Sequence, residues 1–331
     1  MHQQKQLLKI ALICLLGFMM AKCQKEDLNS DNGTELKASS VTSSVTSGYL
    51  QDLIGTIEQM LNDGILDKGN ANALIVKINN AIKSVDKGNI TASDGQLNAF
   101  INETEEFIDT GIIPVTEGQE LINSAENAIM LADGFFMDTR DGYEYPVVLI
   151  GEQFWMAENL KTTMYQNGDL IGTTTPATLD LSGEDTPKYQ WAYNGDEDNA
   201  VTMGRLYTYY AITDSRGVCP VGWHVPSDGE WTTLTNYLGV NAGSKLKETG
   251  TAHWPSPNAG ATNETGFTAI PGGLRTFDGF FVNYPYYARY WSTTEVWSGV
   301  ARGRSITSYS NGVQANMLEE KDGNSVRCIK D

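Results

Sequence analysis

Hydrophobic and polar positions change rhythm several times along this chain, and each change marks a boundary. The first apolar run, Ile10 to Ala21, follows Lys5 and Lys9 and carries no charge of its own. It falls short of the roughly 20 apolar residues that cross a bilayer. Residues 1–22 therefore read as a secretory signal peptide. Residues 23–48 are polar. Their stretch LNSDNGTELKASSVTSSVTS (28–47) has no apolar period and reads as a flexible tether. From residue 49 to 132 the rhythm is helical: Leu53, Ile57, Met60 and Leu61 recur at helix spacing, as do Leu74, Ile75, Ile78, Ala81 and Ile82. Gly64, Gly88 and Gly111 punctuate the run as helix ends.

That helical segment repeats itself. MLNDGILDKGNANALIVKINNAI (60–82) aligns without gaps on FIDTGIIPVTEGQELINSAENAI (107–129). Gly64 answers Gly111, Ile65 answers Ile112, Leu74 answers Leu121, and Asn80-Ala81-Ile82 answers Asn127-Ala128-Ile129. Each copy is a helix–turn–helix with one apolar face. Packing the copies together as a four-helix bundle covers both faces.

From Gly134 to the end at residue 331, helical period gives way to strand and turn signals. YPVVLIGEQFWMAENL (145–160) reads as two short strands around a Gly151-Glu152 turn. GRLYTYYAI (204–212) reads as one helix, and SDGEWTTLTNYLG (227–239) as a better one. In the latter, Ser227 is the N-cap, Glu230 completes a capping box, and Trp231, Leu234 and Leu238 share a face that Gly239 ends. The fold class expected is α+β, a small helical bundle followed by a mixed domain.

Composition narrows the function. The formal charge is −18 over 331 residues, and loss of the signal removes three lysines more. Such a chain repels nucleic acid, so nucleic-acid partners are excluded. Within 50–132, thirteen acidic residues face four basic ones, which reads as a solvated acidic surface. The signal ends at Met20-Ala21-Lys22-Cys23, which resembles a bacterial lipobox with Lys22 in place of a small residue. Cys23 is then the lipidation site, and the membrane is a partner through the lipid anchor. The run Lys25-Glu26-Asp27 resembles the export signal of Bacteroidetes surface lipoproteins, so the location expected is the outer membrane, at the cell surface. Ordinary secretion is the alternative. With Cys14 lost and Cys23 lipidated, Cys219 and Cys328 remain, and an oxidising compartment makes such a pair one disulfide.

Candidate chemistry is sparse. CPVGWHVPSDGEW (219–231) has a thiol, an imidazole, a hydroxyl and two carboxylates. A disulfide consumes the thiol, the cap occupies Ser227 and Glu230, and Trp223 and Trp231 read as core anchors. His224 alone is left without a role. NGDEDN (194–199) sets Asp196 and Asp198 at alternate positions, as loops for hard cations do, so calcium at those two residues is the one candidate cofactor; otherwise none is expected. The aromatic string YPYYARYW (284–291) offers Tyr284, Tyr286 and Tyr287 as ligand contacts, with His253 and Trp254 as further candidates.

Longer motifs carry a family resemblance. DGYEYPVVLIGEQFWMAENLKTTMYQNGDLI (141–171), GRLYTYYAI (204–212), GVCPVGWHVPSDGEWTTLTNYLG (217–239), AGSKLKETGTAHWPSPNAGATNETGFTAIPGGLR (242–275), YWSTTE (290–295) and NSVRCIKD (324–331) resemble, in order, the Fibrobacter succinogenes major paralogous domain, FISUMP. Residues 49–132 resemble the FIMAH module of extracellular bacterial proteins, through LNAFINETEEFIDTGIIPVTEGQELINSAENAI (97–129). FISUMP domains in turn look like the C-type lectin-like fold of formylglycine-generating sulfatase-modifying factors. Those enzymes use two nearby C-terminal cysteines to bind copper, and here only Cys328 matches. Sugar-binding C-type lectins hold calcium with Glu-Pro-Asn or Gln-Pro-Asp and Trp-Asn-Asp motifs, which this chain lacks. These departures speak against an enzyme; the resemblance carries no established activity, and the function expected is non-catalytic binding of a glycan or protein ligand at the surface. An enzyme of the sulfatase-modifying lineage and a structural surface component are the alternatives.

Overall fold

The computed structural model describes residues 32–331, with side chains from Ser43 onward. The signal peptide, Cys23 and the start of the tether lie outside the described residues. Among the described residues no helix is long and apolar enough to cross a membrane.

Four helices come first: α1 (Asn32–Asn62), α2 (Lys68–Val85), α3 (Ile90–Asp109) and α4 (Val115–Asp133). Their apolar stripes close on one core that holds Leu53, Ile57, Leu74, Ile78, Phe100 and Leu121. The sequence repeat is a structural repeat down to its hydrogen bonds. After α1, Ile65 N and Leu66 N both donate to Met60 O, at 2.9 and 3.2 Å, while Gly64 holds φ at +74°. After α3, Ile112 N and Ile113 N both donate to Phe107 O, at 2.8 and 3.1 Å, while Gly111 holds φ at +72°. A Cβ disfavours that left-handed backbone, which is why glycine recurs at both turns.

The expected tether is shorter than the sequence implied. α1 begins at Asn32, so residues 32–48 are helical and not irregular. Ser43 Oγ donates to Val85 O at 3.1 Å, and Ser47 Oγ donates to Asp86 Oδ1 at 2.7 Å. Thr46 is fully buried. Small hydroxyl side chains let α1 lie close to the end of α2, and such docking leaves no hydrophobic period in the sequence.

The remainder is built from short strands: β1 (Phe135–Met137), β2 (Glu144–Ile150), β3 (Gln153–Met156), β4 (Gln190–Trp191), β5 (Leu206–Tyr207), β6 (Trp223–His224), β7 (Leu274–Arg275), β8 (Phe281–Val282), β9 (Tyr287–Trp297), β10 (Val300–Thr307), β11 (Gln314–Glu319) and β12 (Ile329–Lys330). Between them lie short helices α5 (Glu197–Met203), α6 (Tyr209–Ile212), α7 (Asp228–Leu238) and α8 (Ala242–Leu246). An antiparallel sheet runs β1-β2-β3-β12-β6, and a three-stranded one runs β11-β10-β9. The architecture is α+β.

Strand alternation splits the apolar residues of the first sheet between two cores. Val147, Phe154 and Met156 enter one with Trp223 and the disulfide. Ile150 and Trp155 enter the other with Trp231, Leu234 and Leu238 of α7. The bundle is not separate from this domain. Met130 and Leu131, in the last turn of α4, belong to the first core, and Tyr49 meets Phe154 edge to face at 5.6 Å. Residues 41–331 form one compact unit.

The hairpin expected around Gly151-Glu152 is present as β2 and β3, in register Val148 to Trp155. The single helix expected over 204–212 is not. Leu206 and Tyr207 form β5, paired with β4, and Tyr207 also exchanges backbone bonds with Asn324. Only then does Thr208 cap the short α6. Sheet pairing with distant chain overrides local helix preference here.

Candidate functional site

The stretch 219–231 resolves into scaffold. Cys219 and Cys328 are joined in a disulfide, Cα to Cα 6.0 Å. It ties β6's approach to the chain's end, so neither thiol is free to react. Ser227 Oγ accepts from Glu230 N, and Glu230 Oε2 accepts from Ser227 N at 2.7 Å, the expected reciprocal cap of α7. Trp223 and Trp231 are buried, and Trp231 Nε1 donates to Trp291 O at 3.2 Å.

His224, the residue without an assigned role, lies between two carboxylates. Its Nδ1 is 2.6 Å from Asp331 Oδ1 and its Nε2 is 2.7 Å from Glu230 Oε1. Burial works to lower its pKa, but the bonds to Asp331 and Glu230 outweigh burial and leave it raised. For Glu230, burial is again the largest influence and works upward, but the Ser227 and His224 contacts hold it below the ordinary value. His224 thus links β6, α7 and the final residue electrostatically.

Two of the tyrosines expected to contact ligand, Tyr284 and Tyr286, are exposed. The segment before β9 turns on Asn283, whose carbonyl accepts from Tyr286 N at 2.8 Å and Tyr287 N at 3.1 Å. Ser308 N donates to Tyr286 O at 3.2 Å, which fixes this turn against the end of β10. Tyr284 and Tyr286 are 41% and 50% exposed. Tyr287 is half-buried, with its ring edge to face against Tyr309 at 5.9 Å and its hydroxyl bonded to that of Tyr309. Tyr309 is 55% exposed and was missed in the sequence, because it stands alone among serines and asparagine, away from any aromatic run.

Other candidates have structural positions. Trp254 is corrected to a core residue: it is only 1% exposed, and its Nε1 donates to Ala269 O at 2.8 Å. It cannot share the tyrosine surface. His253 Nδ1 lies 2.9 Å from both oxygens of Glu248. Asp196 caps α5, its Oδ1 accepting from Asp198 N at 3.1 Å. Among the described residues, no group of three or more His, Cys, Asp or Glu is placed to hold a metal ion.

The residues that hold the loops in place were invisible in the sequence. Lys247 is fully buried, and its Nζ donates to Ala259 O, Thr307 O and Ser310 O at 2.7, 3.1 and 3.0 Å. Burial pushes its pKa down to about 8. Arg275 is equally buried, stacked 4.1 Å from the Trp191 ring, and donates to Ala177 O and Thr276 O. Arg327 lies 4.3 Å from the Phe267 ring and donates to Asn159 Oδ1, Met156 O, Phe267 O and Thr268 O. None of the three has a carboxylate within salt-bridge distance among the described residues. Backbone carbonyl dipoles and aromatic faces replace the counter-ion. Lys247 holds the Ser308–Ser310 turn, and so the loop that carries Tyr309.

Neither a curated protein nor a solved structure matches the chain. The match to a family model begins in β2 and runs through β12, and it does not extend over the helical bundle. It spans the capped helix α7, both bonded cysteines, the three buried cations and the tyrosine surface. This match, to the model described as Fibrobacter succinogenes major domain over residues 148–330, covers more than half of the sequence, and the chain belongs to that family.

Proposed function

We propose that this chain is a lipid-anchored protein of the outer-membrane surface whose C-terminal domain binds a glycan or protein ligand without catalysing a reaction. The exposure of Tyr284, Tyr286 and Tyr309, on two turns joined by the Ser308 N to Tyr286 O bond, is the observation that carries this reading. Tyrosine rings offer a flat apolar face and a polar edge, which suits both sugar rings and protein interfaces. Backbone bonds fix the turn that carries Tyr284 and Tyr286, and buried Lys247 holds the turn that carries Tyr309, which lowers the entropy lost on binding. An enzyme of the sulfatase-modifying lineage needs a reactive C-terminal thiol, and the bonded state of Cys328 speaks against it. Calcium at Asp196 and Asp198 is not required by this reading.

A glycan array and polysaccharide pull-down with the whole chain, with and without calcium, tests the proposal. The expected result is binding that the double variant Tyr284→Ala/Tyr286→Ala abolishes while the melting temperature stays put. Binding that survives the double variant would remove the site. Absence of any glycan or cell-surface protein ligand would leave a structural role. The anchor has its own test: incorporation of a labelled fatty acid in cells, abolished in Cys23→Ser.

A further inference from the structure

A cleft of about 680 Å³ opens where the helical bundle meets the first sheet. One wall is α1, through Gly48, Tyr49 and Asp52. The facing wall is the β2–β3 hairpin, through Glu152, Gln153 and Phe154, and Glu230, Lys330 and Asp331 close one end. Its volume and its place between two parts of the chain suit a small-molecule site.

Four observations define what it would hold. Tyr49 and Phe154 stand edge to face in its lining and give it an apolar surface that suits an alkyl stem. Four carboxylates line it, on Asp52, Glu152, Glu230 and Asp331, against the single lining ammonium of Lys330. Lys330 makes no ion pair among the described residues, and His224 engages Glu230 and Asp331, so Asp52 and Glu152 are the lining carboxylates left without a bonded cation among the described residues. Finally, Gln153 Nε2 donates to Glu230 O at 3.2 Å, which fixes its amide and leaves Oε1 buried without a donor. The cleft is rich in acceptors and poor in donors.

We propose that this cleft binds a cationic organic ligand, an ammonium or guanidinium group on a short apolar stem. The cation comes either as a free amine or as a lysine or arginine side chain within a peptide. The stem lies along Phe154 and Tyr49, and the charged head faces the carboxylates. The net charge of −18 adds a long-range attraction for such ligands. The cleft shares no lining residue with the tyrosine surface, so the two sites stand or fall separately.

Gly48 makes the test clean. Gly48 lines the cleft, and a Cβ built there meets no atom within 4 Å, so a side chain can leave this position without a clash at its root. The experiment is calorimetric titration of the chain from residue 23 onward, carrying Cys23→Ser, with hexylamine, hexanoate, hexanol and the tripeptide Gly-Lys-Gly. Hexylamine is expected to bind and hexanoate not to. Gly48→Trp should abolish hexylamine binding, and Asp52→Asn or Asp331→Asn should weaken it about three- to tenfold at low salt, less at high salt. Should Gly48→Trp fail to fold, the exposed Asp52→Asn carries the same test. A tripeptide tighter than hexylamine identifies a peptide source, and a weaker one a free amine. Equal binding of hexanoate and hexylamine, no binding of hexylamine, or hexylamine binding that persists in a folded Gly48→Trp would overturn the proposal.

Discussion

The helical bundle and the C-terminal domain face one physical requirement, that buried backbone polar groups be bonded, and meet it in opposite ways. In the bundle each helix bonds its own backbone, so side chains need only supply an apolar stripe. That is why one helix–turn–helix unit can occur twice with the same turn geometry at Gly64 and Gly111. In the C-terminal domain the strands are short and the connections long. Loop carbonyls there need donors from elsewhere, and Lys247, Arg275 and Arg327 reach in from distant positions to supply them. The bundle buries no cation fully among the described residues, while the C-terminal domain puts positive charge at its centre. A domain poor in regular structure thus leans on long-range tethers: a disulfide, buried cations, and tryptophan N–H groups bonded to backbone, as from Trp231, Trp254 and Trp291.

This contrast can be broken or sharpened by experiment. The largest effect expected is from Cys219→Ser/Cys328→Ser. The bridge closes a loop with sequence separation 109, so its loss should cost about 4–5 kcal/mol in denaturant unfolding. Hydrogen exchange should show the loss in residues 134–331 and spare the centre of the bundle. Equal loss of protection in α2 and α3 would show that the two regions unfold only together.

Next come Leu74→Ala and Leu121→Ala, the equivalent fully buried positions of the two repeat copies. Each should cost about 3 kcal/mol, and the two costs should agree if the repeat is energetic as well as geometric. A large inequality would show that packing of α4 against the sheet has made its copy different. Lys247→Met, which keeps the stem and removes the ammonium, should cost about 2–3 kcal/mol because three carbonyls lose their donor. It should also raise proteolysis around Ser308–Ser310. A neutral outcome would mean that water replaces the ammonium without loss.

The smallest effect is a stabilisation. Burial pushes Asp322 up to about 6, although its carboxylate accepts from Phe277 N. An acid whose folded pKa is raised destabilises the fold above that pKa, and the penalty fades as pH falls from 6 toward the unfolded value near 4. Asp322→Asn keeps an acceptor for Phe277 N and removes the charge. It should add about 2 kcal/mol at pH 7 and almost nothing at pH 4. The same gain at both pH values would assign it to packing.

Legibility in the sequence follows the same division. The repeat, its glycine turns and its core positions could be read directly, because a helix brings residues three and four apart onto one face. The capped helix α7 and the hairpin at Gly151 were equally local and equally legible. The segment 204–212 was misread because β5 is made by partners at β4 and Asn324, far away in the chain. Trp254 resembled a ligand-stacking residue because a tryptophan next to a histidine carries no mark of which way it faces. Tyr309 escaped notice because its neighbours on the surface, Tyr286 and Tyr287, are more than twenty residues earlier.

The sequence by itself determined the helical repeat, the α+β class, the family of the C-terminal domain and the acidic charge balance. Each depends on composition, on short periodicities, or on motifs read in order along the chain. Only the tertiary structure decided that Ser43 to Ser47 dock, that His224 joins two carboxylates, that buried cations serve loop carbonyls, and that a cleft lies between α1 and the β2–β3 hairpin. Those features arise from contacts between residues distant in the chain, and the pattern of a single segment does not encode its partner.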